Sequence, residues 1–503
     1  MSNATDVRTE PASRAGPNAR LSRWVWVCAA VQFVALIATS TRYGFHRDEM
    51  YFILCGQHPA FGYPDQPPLI PLLCAALHHL APGSLLLLRL PSAIMSAATT
   101  VVAAVVARDC RGRGPAQVVA AIGAATAGFA LAVGHIVSTT TPDLLSSTLV
   151  CWLVIRAVLL RSGPPLLWAG IVTGVGFEAK PQVAFVAIVL VLALLVAGPR
   201  WPLRSPWLWA GAASAAVLAL PYVVWQAQHG WPQLTVAGAV SGTAEGGRAG
   251  FVPFQFVLVS PVFAPVWIAG LVAAWRGRSH ILRFVPVAYA VLAVAYLLSN
   301  GKAYYLASVY PALLGIGAIP VAAWLARGRG RMRVAAVAAV VAAVVSAVIA
   351  LPLLPADDLQ GSATMALNPD QGETVGWQRF AHTVSRVWHG LPADQRAHTV
   401  IFTGNYGEAG AVDLLGARLG LPRAYSGHNA LAAWGEPPAS ATQVVVLGYT
   451  GARDAAPEFV GCVRRARIDD GVGLDNDEQG GPVLVCRPSA AWRVLWPRLR
   501  HYD

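Results

Sequence analysis

The run His46-Arg47-Asp48-Glu49-Met50-Tyr51-Phe52 sets two carboxylates side by side, flanked by an imidazole and a guanidinium. A second run, Gly62-Tyr63-Pro64-Asp65-Gln66-Pro67-Pro68-Leu69, follows shortly after. A carboxylate held beside a hydroxyl can take its proton in a transition state. The chain has only two lysines, Lys180 and Lys302, and Tyr304 and Tyr305 follow the second. Fixed cations and hydroxyl donors in a water-poor site stabilise developing negative charge. Asp143, after Thr141-Pro142, is a further ionisable residue at the edge of an apolar run. Such residues at membrane depth are costly and default to functional roles. Each also has a plainer reading. Asp48, Glu49 and Asp143 suit the first turn of a helix, the lysines suit interfacial anchoring, and the tyrosines suit an aromatic belt. His46 and His135 read as satisfied polar residues at helix ends.

The elements that must position these residues are set by composition. Of 503 residues, 55% are hydrophobic and only 12% charged, about half the usual charged share of a soluble domain. The mean hydropathy is +0.52. The apolar residues are bunched into runs that approach the roughly 20 residues needed to cross a bilayer. They predict an α-helical polytopic membrane protein of about eleven spans, near 24–41, 85–107, 116–137, 144–161, 165–179, 181–198, 206–226, 254–275, 283–299, 303–325 and 334–354. With the N-terminus inside, the inner loops hold Arg108, Arg111 and Arg113; Arg161; Arg200 and Arg204; Arg276, Arg278 and Arg283; and Arg327, Arg329, Arg331 and Arg333. That is the arginine bias expected of cytoplasmic loops. Both lysines and Asp48, Glu49, Asp65 and Asp143 then fall at the outer face. The net charge of +12 is accounted for mainly by these loops, and no basic stripe interleaved with aromatics points to nucleic acid.

Residues 1–22 read as a disordered cytoplasmic tail, and 42–84 as an external loop with short helices near 48–55 and 68–80. After residue 354 the composition becomes that of a soluble domain, 355–503. Helices near 373–389 and 408–419 alternate with strands near 398–402, 423–426 and 443–448, which predicts a small α/β domain. Its turn Thr403-Gly404-Asn405-Tyr406-Gly407-Glu408 follows a strand and opens a helix, a common place for ligands. The seven cysteines make no metal-ligand spacing. Cys462 and Cys486 both fall in this domain, where a disulfide could form outside the cytoplasm.

The first-loop runs resemble the first external loop of family 39 glycosyltransferases, GT-C enzymes related to protein O-mannosyltransferases and lipid A aminoarabinose transferases. Thr141-Pro142-Asp143, Lys180, Gly301-Lys302-Ala303-Tyr304-Tyr305 and Tyr310-Pro311 continue the likeness. Asn405-Tyr406-Gly407-Glu408-Ala409, Ser426-Gly427-His428-Asn429 and Trp434-Gly435 are similar to the bacterial branch with an external α/β domain. The resemblance implies a polyprenyl-phosphate sugar donor, an inverting displacement, and Asp48 as the catalytic base with Glu49 beside it. Lys180, Lys302, Tyr304 and Tyr305 would hold the leaving phosphate. His46, Arg47, Tyr63, Asp65, Asp143, Glu408 and His428 are the candidates for substrate contact. Neither metal nor other cofactor is called for, since cationic side chains can hold a single phosphate. The expected partners are the lipid donor, the bilayer and an envelope acceptor, in the plasma membrane with the C-terminal domain outside. The competing readings are a transporter or flippase of lipid-linked solutes, and a non-catalytic envelope assembly protein.

Overall fold

The computed structural model describes residues 20–242, 247–277, 280–448 and 457–502. Residues 1–19, most of the tail expected to be disordered, lie outside the described residues, as does Arg278. The chain opens with α1 (Arg23–Thr39), then α2 (Arg47–Gln57) and α3 (Leu69–Leu80), the two short helices expected in the first loop. The apolar part continues through α4 (Leu85–Asp109), α5 (Gly114–Ala125), α6 (Gly128–His135), α7 (Thr140–Leu160), α8 (Pro164–Phe177) and α9 (Gln182–Ala197). It is completed by α10 (Pro206–Gln228), α11 (Pro232–Gly242), α12 (Gly247–Val259), α13 (Ala264–Arg276), α14 (Phe284–Leu298), α15 (Tyr310–Leu325) and α16 (Arg329–Ala350).

All the apolar runs are helical, but they are not alike. Among the described residues, five helices are long and apolar enough to cross a bilayer, and seven if each of two bent pairs counts as one span. The helices α1, α8, α9 and α14 have 17, 14, 16 and 15 residues. At 1.5 Å per residue they reach about 21–26 Å, short of a roughly 30 Å hydrocarbon core. The run expected as one span over 254–275 is instead broken, its halves meeting at 85°. Ser260 sits there at a φ of 75° and Pro261 follows; proline removes a donor and disfavours helix in the residue before it. The run over 116–137 also bends, by 55° between α5 and α6.

The C-terminal part comprises α17 (Ala363–Leu367), α18 (Trp377–His389), α19 (Ala393–Arg396), β1 (Thr399–Thr403), α20 (Tyr406–Gly410), β2 (Ala424–Ser426), β3 (Gln443–Val446), β4 (Phe459–Arg467), β5 (Pro482–Pro488) and α21 (Trp492–Leu499). The sheet order is β2-β1-β3-β5-β4. The first three strands are parallel, and β5 and β4 extend the sheet antiparallel. Cys462 of β4 and Cys486 of β5 are joined by a disulfide. The helix expected over 408–419 begins earlier, at Tyr406, and loosens after one turn into π and 3-10 segments. The reason lies at Asn405, whose side chain accepts from the Glu408 amide and starts the helix there.

One hydrophobic core joins the first loop to this domain. Met50, Tyr51, Ile53, Tyr63 and Ile70 pack in the same cluster as Trp377, Phe380, Ile401, Val412 and Leu431. Two glycines allow the closest approach. A Cβ on Gly410 would lie 2.6 Å from the Met50 Cβ, and one on Gly407 would lie 2.9 Å from the Arg47 Cβ. The turn after β1 is therefore pressed directly against α2.

Candidate active site

The helix α2 is fixed at its start before anything else is placed. The Asp48 amide donates to His46 Nδ1 at 3.2 Å, and the His46 amide donates to Glu49 Oε2 at 2.9 Å. These bonds satisfy donors that a helix start leaves open. Glu49 is fully buried. Arg89 of α4 holds both its oxygens at 2.8 Å, and the Val137 amide adds a bond at 2.9 Å. The rest of the Arg89 guanidinium donates to the Ser40 and Gly44 carbonyls at 2.6 and 2.8 Å. Burial alone would raise the Glu49 carboxyl; the guanidinium and the backbone donors outweigh it and hold it below its usual range. Glu49, expected beside Asp48 in the catalytic set, has no free oxygen. It ties α2 to α4 and to the start of the next segment.

Asp48 points elsewhere. Its side chain keeps 35% exposure. Oδ1 accepts from the Tyr406 hydroxyl at 2.9 Å, and Oδ2 stands 3.9 Å from His46 Nδ1. The Tyr406 ring stacks on Tyr51 at 4.6 Å, and the Tyr51 hydroxyl donates to Asp65 Oδ1 at 2.8 Å. Burial pushes Asp65 up to about 7, with a further push from Asp48. Two carboxylates thus bracket a pair of stacked phenols.

The lysines and tyrosines form the other half of the site. Lys180, in the break between α8 and α9, donates to Thr140 Oγ1 at 3.0 Å. Its Nζ lies 5.4 Å from the Tyr304 ring centroid and 5.0 Å from that of Tyr305. Lys302 Nζ is 5.8 Å from the Tyr304 ring. Asp143 is buried and accepts from Ser147 at 3.1 Å and Ser308 at 3.0 Å. It also exerts an electrostatic pull on Lys180. Both lysines thus stand over the Tyr304 ring.

Three other candidates are engaged by backbone groups. The Tyr63 hydroxyl donates to the Cys55 carbonyl at 2.7 Å and folds the loop onto α2. Glu408 accepts from the Gly404 amide at 3.0 Å and the Asn405 amide at 3.4 Å, and so caps α20. His428 Nδ1 accepts from the Tyr406 amide at 3.2 Å. Glu408 and His428 therefore shape the turn that presents Tyr406. Arg47 bridges to the C-terminal domain, 2.7 Å from Asp477 and 3.5 Å from Glu373. Tyr51 and Tyr406 lie in runs that the sequence brings forward, without a role of their own there. Arg89 was not singled out, although an arginine inside an apolar run is a signal. Among the described residues, no three His, Cys, Asp or Glu side chains converge as a metal site.

The acids around Arg47 carry a pH signature. Burial, then neighbouring carboxylates, push Glu373 and Glu478 up to about 7; burial also brings Glu408 there against its backbone donors. Carboxyls raised in this way bind more protons in the folded protein than in the unfolded chain. Stability therefore falls as pH rises through the window between the ordinary glutamate value and about 7. The melting midpoint in detergent is expected to be higher near pH 5.5 than near pH 7.5. Glu478→Gln should raise it by about 2 °C near pH 7.5 and by less near pH 5.5, where fewer of the protons have been lost. A midpoint independent of pH in the parent protein would contradict this account.

Comparisons with known proteins agree with this architecture. Residues 65–225 match the family described as dolichyl-phosphate-mannose-protein mannosyltransferase. The fold is similar to that of ArnT from Cupriavidus metallidurans bound to undecaprenyl phosphate, at 15% identity and a TM-score of 0.61, covering 93% of this chain and 98% of that one. For the apo state of the same protein the values are 14%, 0.63, 92% and 98%. The arabinofuranosyltransferase AftD from Mycobacteria is similar at 15% identity and a TM-score of 0.52, over 95% of this chain and 40% of that one. No curated protein matches the sequence.

Proposed function

We propose that this chain, with its GT-C fold, is a membrane glycosyltransferase that moves a sugar from a polyprenyl-phosphate donor to an envelope acceptor on the outer face. One observation carries the reading: the chain's only two lysines stand together over the Tyr304 ring, and Asp48 is a partly exposed carboxylate. The ArnT structure holds undecaprenyl phosphate, which supports a lipid phosphate as the leaving group here. The arginine-dense loops, expected on the cytoplasmic side of the spans, support an outer-face site.

Asp48 takes the acceptor proton as the acceptor oxygen attacks the anomeric carbon. The bond from that carbon to the phosphate oxygen breaks in the same step, with inversion. The electron pair leaves on the polyprenyl phosphate. Lys180 and Lys302 neutralise the charge that develops there, in surroundings where such stabilisation is worth far more than in water. Thr140 accepts a hydrogen bond from the Lys180 ammonium, and the two tyrosines wall the site.

The test is transfer of radiolabel to an envelope extract by the full chain in nanodiscs, supplied with polyprenyl phosphates carrying mannose, galactose, arabinose or an amino sugar. Label should move with at least one donor, and Lys180→Met should slow it about 100-fold. Binding and translocation of the lipid without any sugar transfer would replace the enzyme by a flippase.

A further inference from the structure

We propose that Tyr406, from the C-terminal domain, is a positioning residue for Asp48: it fixes one carboxylate oxygen and leaves the other facing the acceptor. The proposal rests on the reading of Asp48 as the base and extends it to a residue 358 positions away in the chain.

The contact is built, not incidental. The Tyr406 hydroxyl donates to Asp48 Oδ1 at 2.9 Å. The ring is held from both sides, stacked on Tyr51 at 4.6 Å with the Arg47 guanidinium 4.9 Å from its centroid. Its amide is engaged by His428 Nδ1 at 3.2 Å, and the Asn405–Glu408 cap sets the backbone on either side. Gly407 and Gly410 admit the close approach, since a Cβ at either would collide with α2. The ring therefore has no neighbouring position to relax into.

The consequence for Asp48 follows from where its neighbours stand. Oδ1 meets the Tyr406 hydroxyl, and Oδ2 stands 3.9 Å from His46 Nδ1. Only Tyr406 donates a side-chain hydrogen bond to the carboxylate among the described residues. That bond stops rotation of the carboxylate, so that Oδ2 remains the open oxygen. A reacting base must be held within a narrow range of the proton it removes. The C-terminal domain thus contributes to the reaction centre itself.

Tyr406→Phe keeps the stacked ring and removes one oxygen, so its melting midpoint should match that of the parent. In the full chain in nanodiscs, with whichever labelled polyprenyl-phosphate sugar the parent turns over, kcat of Tyr406→Phe should fall about tenfold while KM holds. Unchanged kcat in Tyr406→Phe, beside an inactive Asp48→Asn, would overturn the role of Tyr406 alone. Full turnover in Asp48→Asn would overturn the base assignment and this role with it.

Discussion

Asp48→Asn is expected to slow sugar transfer by about 10²–10⁴-fold, the usual contribution of a positioned general base. The substitution keeps the size of the side chain and an oxygen that can accept from Tyr406. It removes only the ability to take a proton. Because the side chain is partly exposed and bears no buried ion pair, stability should stay within about 0.5 kcal/mol of the parent. Single-turnover transfer with saturating donor separates this loss from donor binding, which should be unchanged. A transfer rate within twofold of the parent would remove Asp48 from the chemistry. The contrast with its neighbour sharpens the test, since Glu49→Gln acts through the fold and should lower melting and activity together.

The second large effect concerns the buried pair beneath the site. Arg89→Met leaves Glu49 without a counter-charge at zero exposure and strips the Ser40 and Gly44 carbonyls of their donor. Breaking a buried pair by removing one partner costs about 3–5 kcal/mol. The expected result is aggregated or poorly inserted protein, seen as loss of the monodisperse peak in detergent. The double variant Arg89→Met with Glu49→Gln removes the uncompensated charge and should recover part of the folded fraction. If Arg89→Met alone melts like the parent, the pair does not anchor α2.

Much of the frame was legible from residue types. The bunching of apolar residues predicts the helices, and the apolar character of 68–80 predicts a short helix there, found over Leu69–Leu80. Period and composition are local properties, so they can be read from one chain. What escaped was non-local or conformational. Tyr406 lies in a motif that the sequence did single out, but nothing local says that its hydroxyl meets Asp48. Asp48 and Glu49 are adjacent and alike in type; only the fold shows that one meets Tyr406 while the other meets Arg89. The bend at Ser260–Pro261 was written in the sequence, yet the surrounding apolar run masked it. The strand β4 was missed because its exposed arginines resemble a loop, whereas β5 is an apolar run that could have been found.

The core shared by the first loop and the C-terminal domain bears on how the protein is made. The loop emerges early, and its packing partners from Trp377 onward are not yet synthesised. At about 5–20 residues per second, the intervening chain takes on the order of 15–60 s to appear. During that interval the faces of Met50, Tyr51 and Ile70 have no native cover. A nascent chain that stalls before α18 presents an uncovered apolar loop and lacks the phenol that holds Asp48. Completion of the last domain therefore supplies the cover, and a truncated product exposes the kind of apolar surface that quality-control proteases meet.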